Sequence, residues 1–171
     1  NSKSEVQDAP GSELTREEQQ AQFELVVCGG IAVHMLLDYL KRNSPRRWNH
    51  KDIDFIVPLS QFSRAIAFFK SEGYARVFVP HKKARLTKNH VRFGNIIDKT
   101  KVLLDLYGEP KISVVRIKRN DIKIPLLSPR IELENWKDRE KRLGPKPSIS
   151  LSIQFLNYVL SQNLFEEEEL T

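Results

Sequence analysis

The sequence has little that would crosslink it or anchor it in a membrane. Its 171 residues include a single cysteine, Cys28, which excludes an internal disulfide and favours a reducing compartment. The longest uncharged apolar stretches, such as Leu25 to Val33, are much shorter than the roughly 20 residues that span a bilayer. The four histidines and the cysteine are scattered without the spacing of a zinc site. We therefore expect a cytoplasmic protein with no membrane partner.

Size and composition predict one compact domain. Apolar residues make up 40% of the chain, which is enough for a real core. We expect a mobile leader at 1–13, a core at 14–129, C-terminal helices at 130–163 and an acidic tail at 164–171. The glutamates of this tail are predicted to be frayed and solvated. The formal charge of +6 permits a nucleic-acid partner and is equally typical of a well-dispersed soluble surface.

Hydrophobic periodicity predicts an α/β (α+β) fold, with a mixed β-sheet and helices on one side. Apolar, β-branched and aromatic runs predict strands, and apolar residues at helical spacing predict helices. The predicted strands are 52–57, 75–79, 91–97 and 101–107, with a hairpin of 112–117 and 122–126 around Asn120-Asp121. The predicted helices are 31–40, 61–71, 130–142 and 149–162.

The most informative motif is a pair of carboxylates, Asp52 and Asp54, in a predicted strand. Side chains alternate between the two faces of a strand, so both aspartates lie on one face. Ile53 and Phe55 then point towards a core. Oxygen ligands that converge on one face are suited to a divalent cation, and magnesium is the cation that best fits such a site.

A third carboxylate, Asp105, lies in the apolar run Val102 to Tyr107. An aspartate in the middle of an apolar strand is costly to bury unless it is paired or bound to a metal. If this strand lies beside the Asp52 strand, the three carboxylates can hold two ions and assist an in-line displacement at phosphorus. Asp105 would then orient or deprotonate the attacking hydroxyl.

The pair Gly29-Gly30 precedes a predicted helix and completes this chemistry. Residues without a Cβ let a triphosphate approach the backbone, and the start of a helix offers free amides and a positive dipole end. A Gly-Gly pair is also common in ordinary turns. In the following loop, Arg47 and His50 are candidate contacts for nucleotide phosphates.

At this point the chain resembles the polymerase β-like nucleotidyltransferases, whose pattern is a Gly-Gly or Gly-Ser turn, an acidic-x-acidic strand and a distant acid. Gly29-Gly30, Asp52-Ile53-Asp54 and Asp105 occupy those positions. Residues 29–34 and 47–55 are similar to the small bacterial branch that includes aminoglycoside and lincosamide nucleotidyltransferases and abortive-infection toxins. The resemblance covers roughly residues 23 to 129 and implies a minimal nucleotidyltransferase core followed by C-terminal helices.

The resemblance implies a transferase that uses Mg²⁺ or Mn²⁺, as two ions held by Asp52, Asp54 and Asp105. It would move a nucleoside monophosphate from a triphosphate such as ATP to a hydroxyl on a small molecule, a protein or RNA. The sequence departs from the family after Pro129, where Arg130 replaces an acidic residue. Two alternatives therefore stay open. One is a catalytically silent module that binds a partner through its basic face, and the other is a nucleic-acid binder.

Overall fold

The computed structural model describes residues 23–42, 52–79 and 88–171. Strands and helices alternate through the first half of the chain, and two consecutive helices follow the last hairpin. The elements are β1 (Val26–Cys28), α1 (Gly29–Tyr39), β2 (Asp52–Pro58), a 3₁₀ turn (Leu59–Gln61), α2 (Phe62–Ser71), β3 (Ala75–Val77), β4 (Asn89–Ile97), β5 (Thr100–Glu109), β6 (Ile112–Arg119), β7 (Ile122–Leu127), α3 (Pro129–Leu143), α4 (Pro147–Gln162) and β8 (Glu168–Leu170).

The described strands form one mixed sheet with the order β3-β4-β5-β2-β1-β7-β6-β8. At its centre, β2 runs parallel to β5 and antiparallel to β1. The hairpins β4–β5 and β6–β7 turn through Asp98-Lys99 and Asn120-Asp121, which all have positive φ. Two-residue turns of this kind match the twist of the strands they join. The predicted mixed sheet with helices is confirmed.

The helices follow from the apolar stripes in the sequence. In α1 the buried residues Ala32, Val33, Leu36 and Leu37 recur at helical spacing and face the core. Gly73, with φ of +89°, follows the end of α2 and accepts the left-handed conformation that ends many helices. No helix in the described part of the chain combines the length and the apolar character that crossing a membrane requires.

The helices pack mainly on one face of the sheet, which leaves the other face for a site. On β1, Val27 packs with α1, α3 and α4, whereas Val26 and Cys28 lie in a cluster on the opposite face. Phe55 of β2 contacts both the cluster around α1 and the one around α2, so these helices share a face. Ile131, near the start of α3, reaches the opposite face. This α3 end therefore borders both sides of the sheet.

The acidic run at the C-terminal end is exposed to solvent as expected, but it is not frayed, so that part of the expectation is wrong. Glu168–Leu170 forms β8, which pairs antiparallel with β6. Glu168 contacts Arg116 at 2.9 Å, and Glu167 contacts Arg130 at 3.1 Å. The run is ordered because cationic side chains of β6 and α3 compensate its charge while the β6 edge pairs its backbone.

Candidate active site

The register of the central strands brings the three predicted carboxylates onto one face. Asp54 of β2 is the pairing partner of Asp105 on the parallel strand β5, and adjacent strands are only about 4.7–4.9 Å apart. Asp52 lies two residues earlier on β2 and so shares this face. Asp105 is fully buried, whereas Asp52 and Asp54 are half-buried. We call this side of the sheet the carboxylate face.

Strand β4 adds two basic side chains to the carboxylate face. It pairs antiparallel with β5, so that Arg92 lies opposite Asp105. The Arg92 guanidinium donates to Asp52 Oδ2 at 2.8 Å, and His90 Nε2 lies 2.6 Å from Asp105 Oδ1. The side chains of Arg92 and His90 are 9% and 3% exposed. Since a buried carboxylate is costly without a partner, these contacts explain how the fold tolerates Asp105.

Tyr107 packs against His90, beside the contact of His90 with Asp105. Its ring stacks on His90, with centroids 4.3 Å apart and an interplanar angle of 15°. Burial raises the pKa of Tyr107, and the charges of Asp54 and Asp105 raise it further. The phenol therefore stays neutral, and its ring fixes the plane of His90 against Asp105.

The predicted glycine turn lies directly against Asp54. Gly29 is the first residue of α1 and has φ of +72°, a conformation that favours glycine. A Cβ at this position would lie 2.5 Å from Asp54 Oδ2. The turn can therefore approach the carboxylate only because residue 29 has no side chain. Gly30 follows in the first turn of α1, where the backbone N–H groups have no acceptor within the helix.

Glu132 of α3 belongs to the same cluster and was not predicted from the sequence. Its carboxyl accepts the Gly29 N–H at 2.7 Å and a further hydrogen bond from Trp136. Burial raises the pKa of Glu132 to about 8, the hydrogen bond from Gly29 opposes this, and the charge of Asp54 adds to it. A signal was present in the sequence, because Glu132 and Trp136 are one helical turn apart on the apolar side of α3.

Two of the predicted nucleotide contacts, Arg47 and His50, lie outside the described residues. Within the described ranges, no three or more His, Cys, Asp or Glu side chains are arranged as a ready metal site. The donor chemistry of Asp52, Asp54 and Asp105 still fits magnesium, which takes carboxylate oxygens. At Asp52 the ion would compete with the Arg92 guanidinium, which donates to Oδ2.

A cavity of about 200 Å³ opens on the carboxylate face, further along β2 and β5. Ile56, two residues after Asp54, forms part of its wall, and Ile131 and Asn135 of α3 border it. Its lining combines apolar and polar side chains: Ile56, Glu109, Lys111, Ile112, Ser113, Leu127, Ile131 and Asn135. A hydroxylated small molecule is compatible with such a mixed lining.

No protein-family model matches the chain, and no curated protein matches its sequence. Solved structures do share its fold. The crystal structure of the lincosamide antibiotic adenylyltransferase LnuA, lincomycin-bound, matches with a TM-score of 0.52 and 13% identity over 86% of this chain and 99% of that one. The crystal structure of ANT(2")-Ia in complex with adenylyl-2"-tobramycin matches with a TM-score of 0.55 and 14% identity over 85% of this chain and 84% of that one.

A third match is the crystal structure of an antigenic nucleotidyltransferase-like protein from Paracoccidioides brasiliensis. Its TM-score is 0.55 at 14% identity, over 84% of this chain and 72% of that one. These likenesses concern the overall arrangement of strands and helices. The chain therefore shares the fold of these nucleotidyltransferase structures, as the resemblance in its sequence predicted.

Proposed function

We propose that the protein is a nucleotidyltransferase that moves a nucleoside monophosphate from a nucleoside triphosphate to a hydroxyl group. The observation that carries this proposal is the strand register that makes Asp54 and Asp105 neighbours, with Asp52 on the same face. Carboxylates so concentrated cost stability even where Arg92 and His90 contact two of them, and such a cost is typical of a site that serves chemistry. The fold shared with antibiotic nucleotidyltransferases supports the same assignment.

In this proposal Asp52, Asp54 and Asp105 hold magnesium, or manganese in its place. When bound, two such ions would neutralise the phosphates and stabilise the attacking and leaving oxygens of an in-line displacement. The chain contributes the oxygen donors and their spacing. Gly29 contributes space, since its missing side chain lets the helix start lie against Asp54.

Asp105 is the proposed general base. The acceptor hydroxyl would attack the α-phosphorus, its proton would pass to Asp105, and the bond to pyrophosphate would break as pyrophosphate leaves. A base needs a fixed orientation, and Asp105 has one, because it is fully buried and lies 2.6 Å from His90 Nε2. His90 therefore acts on the reaction through Asp105.

The triphosphate is proposed to lie at the amino end of α1. The Gly30 N–H and the amides that follow it offer donors at the positive end of the helix dipole. The Gly29 N–H already donates to Glu132, so the two predicted glycines have different tasks. Arg47 and His50 remain proposed contacts of the nucleotide.

A small hydroxylated compound is the proposed acceptor, and an adenylyl group is the group proposed to be transferred to it. LnuA is a lincosamide antibiotic adenylyltransferase, and ANT(2")-Ia was solved with adenylyl-2"-tobramycin. The cavity beyond Ile56 is the proposed acceptor site, since it opens on the carboxylate face. These points favour a small molecule over RNA or a protein as the acceptor.

The proposal is tested by incubating the protein with labelled ATP, magnesium and a panel of aminoglycosides and lincosamides, followed by detection of labelled product. We expect transfer to at least one compound, and we expect Asp54→Asn to abolish it. The loss should exceed the roughly 10- to 100-fold that removal of an outer partner of a metal ligand costs. The melting temperature should hold or rise, because the substitution relieves repulsion among carboxylates.

Asp98→Asn is the matched control, because Asp98 lies in the β4–β5 turn, away from the carboxylate face, at a positive φ that asparagine accepts. It should transfer like the wild type. Full transfer by Asp54→Asn would refute the metal assignment. Calorimetry with magnesium and ATP tests the catalytically silent alternative, which predicts no metal-dependent nucleotide binding.

A further inference from the structure

We propose that Glu132 is a positioning residue that fixes the glycine turn against Asp54 by accepting the Gly29 N–H. The contact itself is a structural claim, and its catalytic consequence rests on the proposed function. Glu132 does not touch the predicted reacting groups. It acts through the backbone of Gly29.

The Glu132 carboxyl is buried between the glycine turn and the core face of α3. Glu132 is 1% exposed, and a buried carboxyl needs hydrogen-bond partners. Its Oε1 accepts the Gly29 N–H at 2.7 Å across 103 residues of chain, and Trp136 donates to it from one helical turn further along α3. Trp136 lies in the main apolar cluster with Leu133. The carboxyl is therefore anchored to a rigid helix, and the glycine turn is anchored to the carboxyl.

The glycine turn has little room to move against Asp54. Gly29 lies so close to Asp54 that a Cβ would come within 2.5 Å of its Oδ2. A small displacement of the Gly29 backbone would therefore change the space available to this carboxylate. The segment before the turn is the three-residue strand Val26–Cys28, whose Cys28 pairs with Asp54. The hydrogen bond that Gly29 donates to Glu132 of α3 adds a constraint that so short a strand lacks.

Glu132 binds only the first of the backbone amides at the start of α1. The start of α1 has no side-chain cap from its N-cap residue Cys28, and the first helical N–H groups lack acceptors within the helix. Glu132 takes the Gly29 N–H, the first of these. The amides from Gly30 onwards are thereby left for an anion. The Gly29 amide thus holds the turn in place through Glu132, and the amides that follow it are the ones proposed to bind phosphate.

Two substitutions distinguish the hydrogen bond from the volume of the side chain. Glu132→Gln keeps a side-chain oxygen that can accept the Gly29 N–H, whereas Glu132→Leu fills a similar volume without an acceptor. Glu134→Gln is the matched control, because Glu134 is an exposed glutamate on the same helix. Trp136→Phe is a further variant that removes the indole donor and keeps an aromatic ring in the core.

The first readout is hydrogen exchange of the Gly29 amide, measured by NMR. It needs no substrate. We expect Gly29 to stay protected in Glu132→Gln and Glu134→Gln and to exchange at least tenfold faster in Glu132→Leu. Trp136→Phe should give an intermediate rate, and it also decides the question if Glu132→Leu does not fold. If the Gly29 amide of Glu132→Leu exchanges as slowly as in the wild type, the proposal is overturned. If Glu132→Leu does not fold, the same result in Trp136→Phe overturns it.

The second readout is adenylyl transfer, separated into kcat and KM. We expect Glu132→Leu to lose roughly 10- to 100-fold in kcat/KM. This is the loss typical of residues that orient a metal ligand without contacting the metal. Glu132→Gln should recover most of this loss. Equal losses in Glu132→Gln and Glu132→Leu would overturn the role of the acceptor oxygen. A wild-type protein without transfer would instead refute the proposed function, and the exchange rates would still decide the placement of Gly29.

Discussion

Glutamates in two regions of this molecule respond to their surroundings in opposite ways. At the glycine turn, burial raises the pKa of Glu132 to about 8, although Gly29 and Trp136 donate hydrogen bonds to it. At the β6–β8 edge, the hydrogen bond from Arg116 lowers the pKa of Glu24. The first carboxyl has backbone and indole donors, and the second has a guanidinium that carries a full charge.

The difference shows what each region is built to do. A buried carboxyl with uncharged donors holds its proton, so it places an acceptor oxygen without adding a full charge beside Asp54. An exposed carboxylate paired with arginine keeps its charge and joins segments that are distant in sequence, as Arg116 does for Glu24 and Glu168. Rising pH should therefore lower the free energy of unfolding through Glu132, and falling pH should lower it through Glu24.

The largest expected effect is the pH dependence at Glu132. Between pH 4.5, the ordinary pKa, and about 8, the folded protein holds a proton that the unfolded chain has lost. The free energy of unfolding therefore falls as pH rises. Relative to Glu132→Gln, we expect the wild type to lose about 1.4 kcal/mol per pH unit, and several kcal/mol in total. Urea unfolding of both proteins across this pH range measures the difference.

Glu134→Gln supplies the control for this comparison. Its exposed carboxyl should leave the curve of stability against pH parallel to that of the wild type. If Glu132→Gln also gives a parallel curve, the carboxyl is not protonated in the folded protein and the contrast between the two regions is lost.

The second expected effect separates contact from backbone strain at glycine. Gly29 and Gly144 both have positive φ, +72° and +81°. An added Cβ would meet Asp54 at Gly29 but no heavy atom of the described residues within 4 Å at Gly144. Gly144, with ψ of 169°, lies in a backbone region that is open almost only to glycine, so Gly144→Ala should cost about 1–3 kcal/mol of backbone strain. Gly29→Ala should add about 1–3 kcal/mol of overpacking to its own backbone strain.

Urea unfolding of the two alanine variants measures these costs, and adenylyl transfer provides the functional comparison. Gly29→Ala should lose transfer because it displaces Asp54, and Gly144→Ala should keep it. Equal losses of stability would mean that Asp54 moves aside freely, which would remove the argument for a tightly held turn.

The sequence predicted the carboxylates because their signals are local. The alternation of side chains in a strand put Asp52 and Asp54 on one face, and the cost of burying an aspartate among apolar residues singled out Asp105. That Asp105 faces Asp54 depends on the parallel pairing of β2 with β5. This pairing joins segments about 50 residues apart. The sequence supported it only through its resemblance to the polymerase β-like nucleotidyltransferases.

The groups whose roles come from tertiary contacts were harder to predict. His90 and Arg92 contact Asp105 and Asp52 because the Asp98-Lys99 turn sets the register of β4 on β5, and these two contacts were not predicted. The acidic run was predicted to be frayed because composition does not reveal that Arg116 and Arg130 lie beside it. Charge runs of this kind acquire order only from partners elsewhere in the chain.

A third effect concerns the arginine of the carboxylate face. Arg92→Gln removes the guanidinium from Asp52, whose side chain is 25% exposed. We expect a loss of about 1–3 kcal/mol, below the 3–5 kcal/mol of a fully buried pair. Magnesium should recover more stability in this variant than in the wild type, because the ion no longer competes with Arg92. Urea unfolding with and without magnesium tests both statements.

Arg119→Gln is the control for Arg92→Gln, since Arg119 lies exposed at the end of β6. It should change stability by less than about 0.5 kcal/mol. A magnesium response equal to that of the wild type in Arg92→Gln would contradict competition for Asp52.

The smallest effect is expected at the edge. Arg116 donates to both oxygens of Glu24 and to Glu168, and these side chains are 27% to 52% exposed. Solvent screens such pairs, so Arg116→Gln should cost only about 0.5–1 kcal/mol. The cost should shrink in high salt and as pH falls below 4.5, where Glu24 gains a proton. Urea unfolding at low and high salt measures it, with Lys118→Gln as the control. A loss as large as that of Arg92→Gln, or one that persists in high salt, would mean that the edge is held as tightly as the carboxylate face.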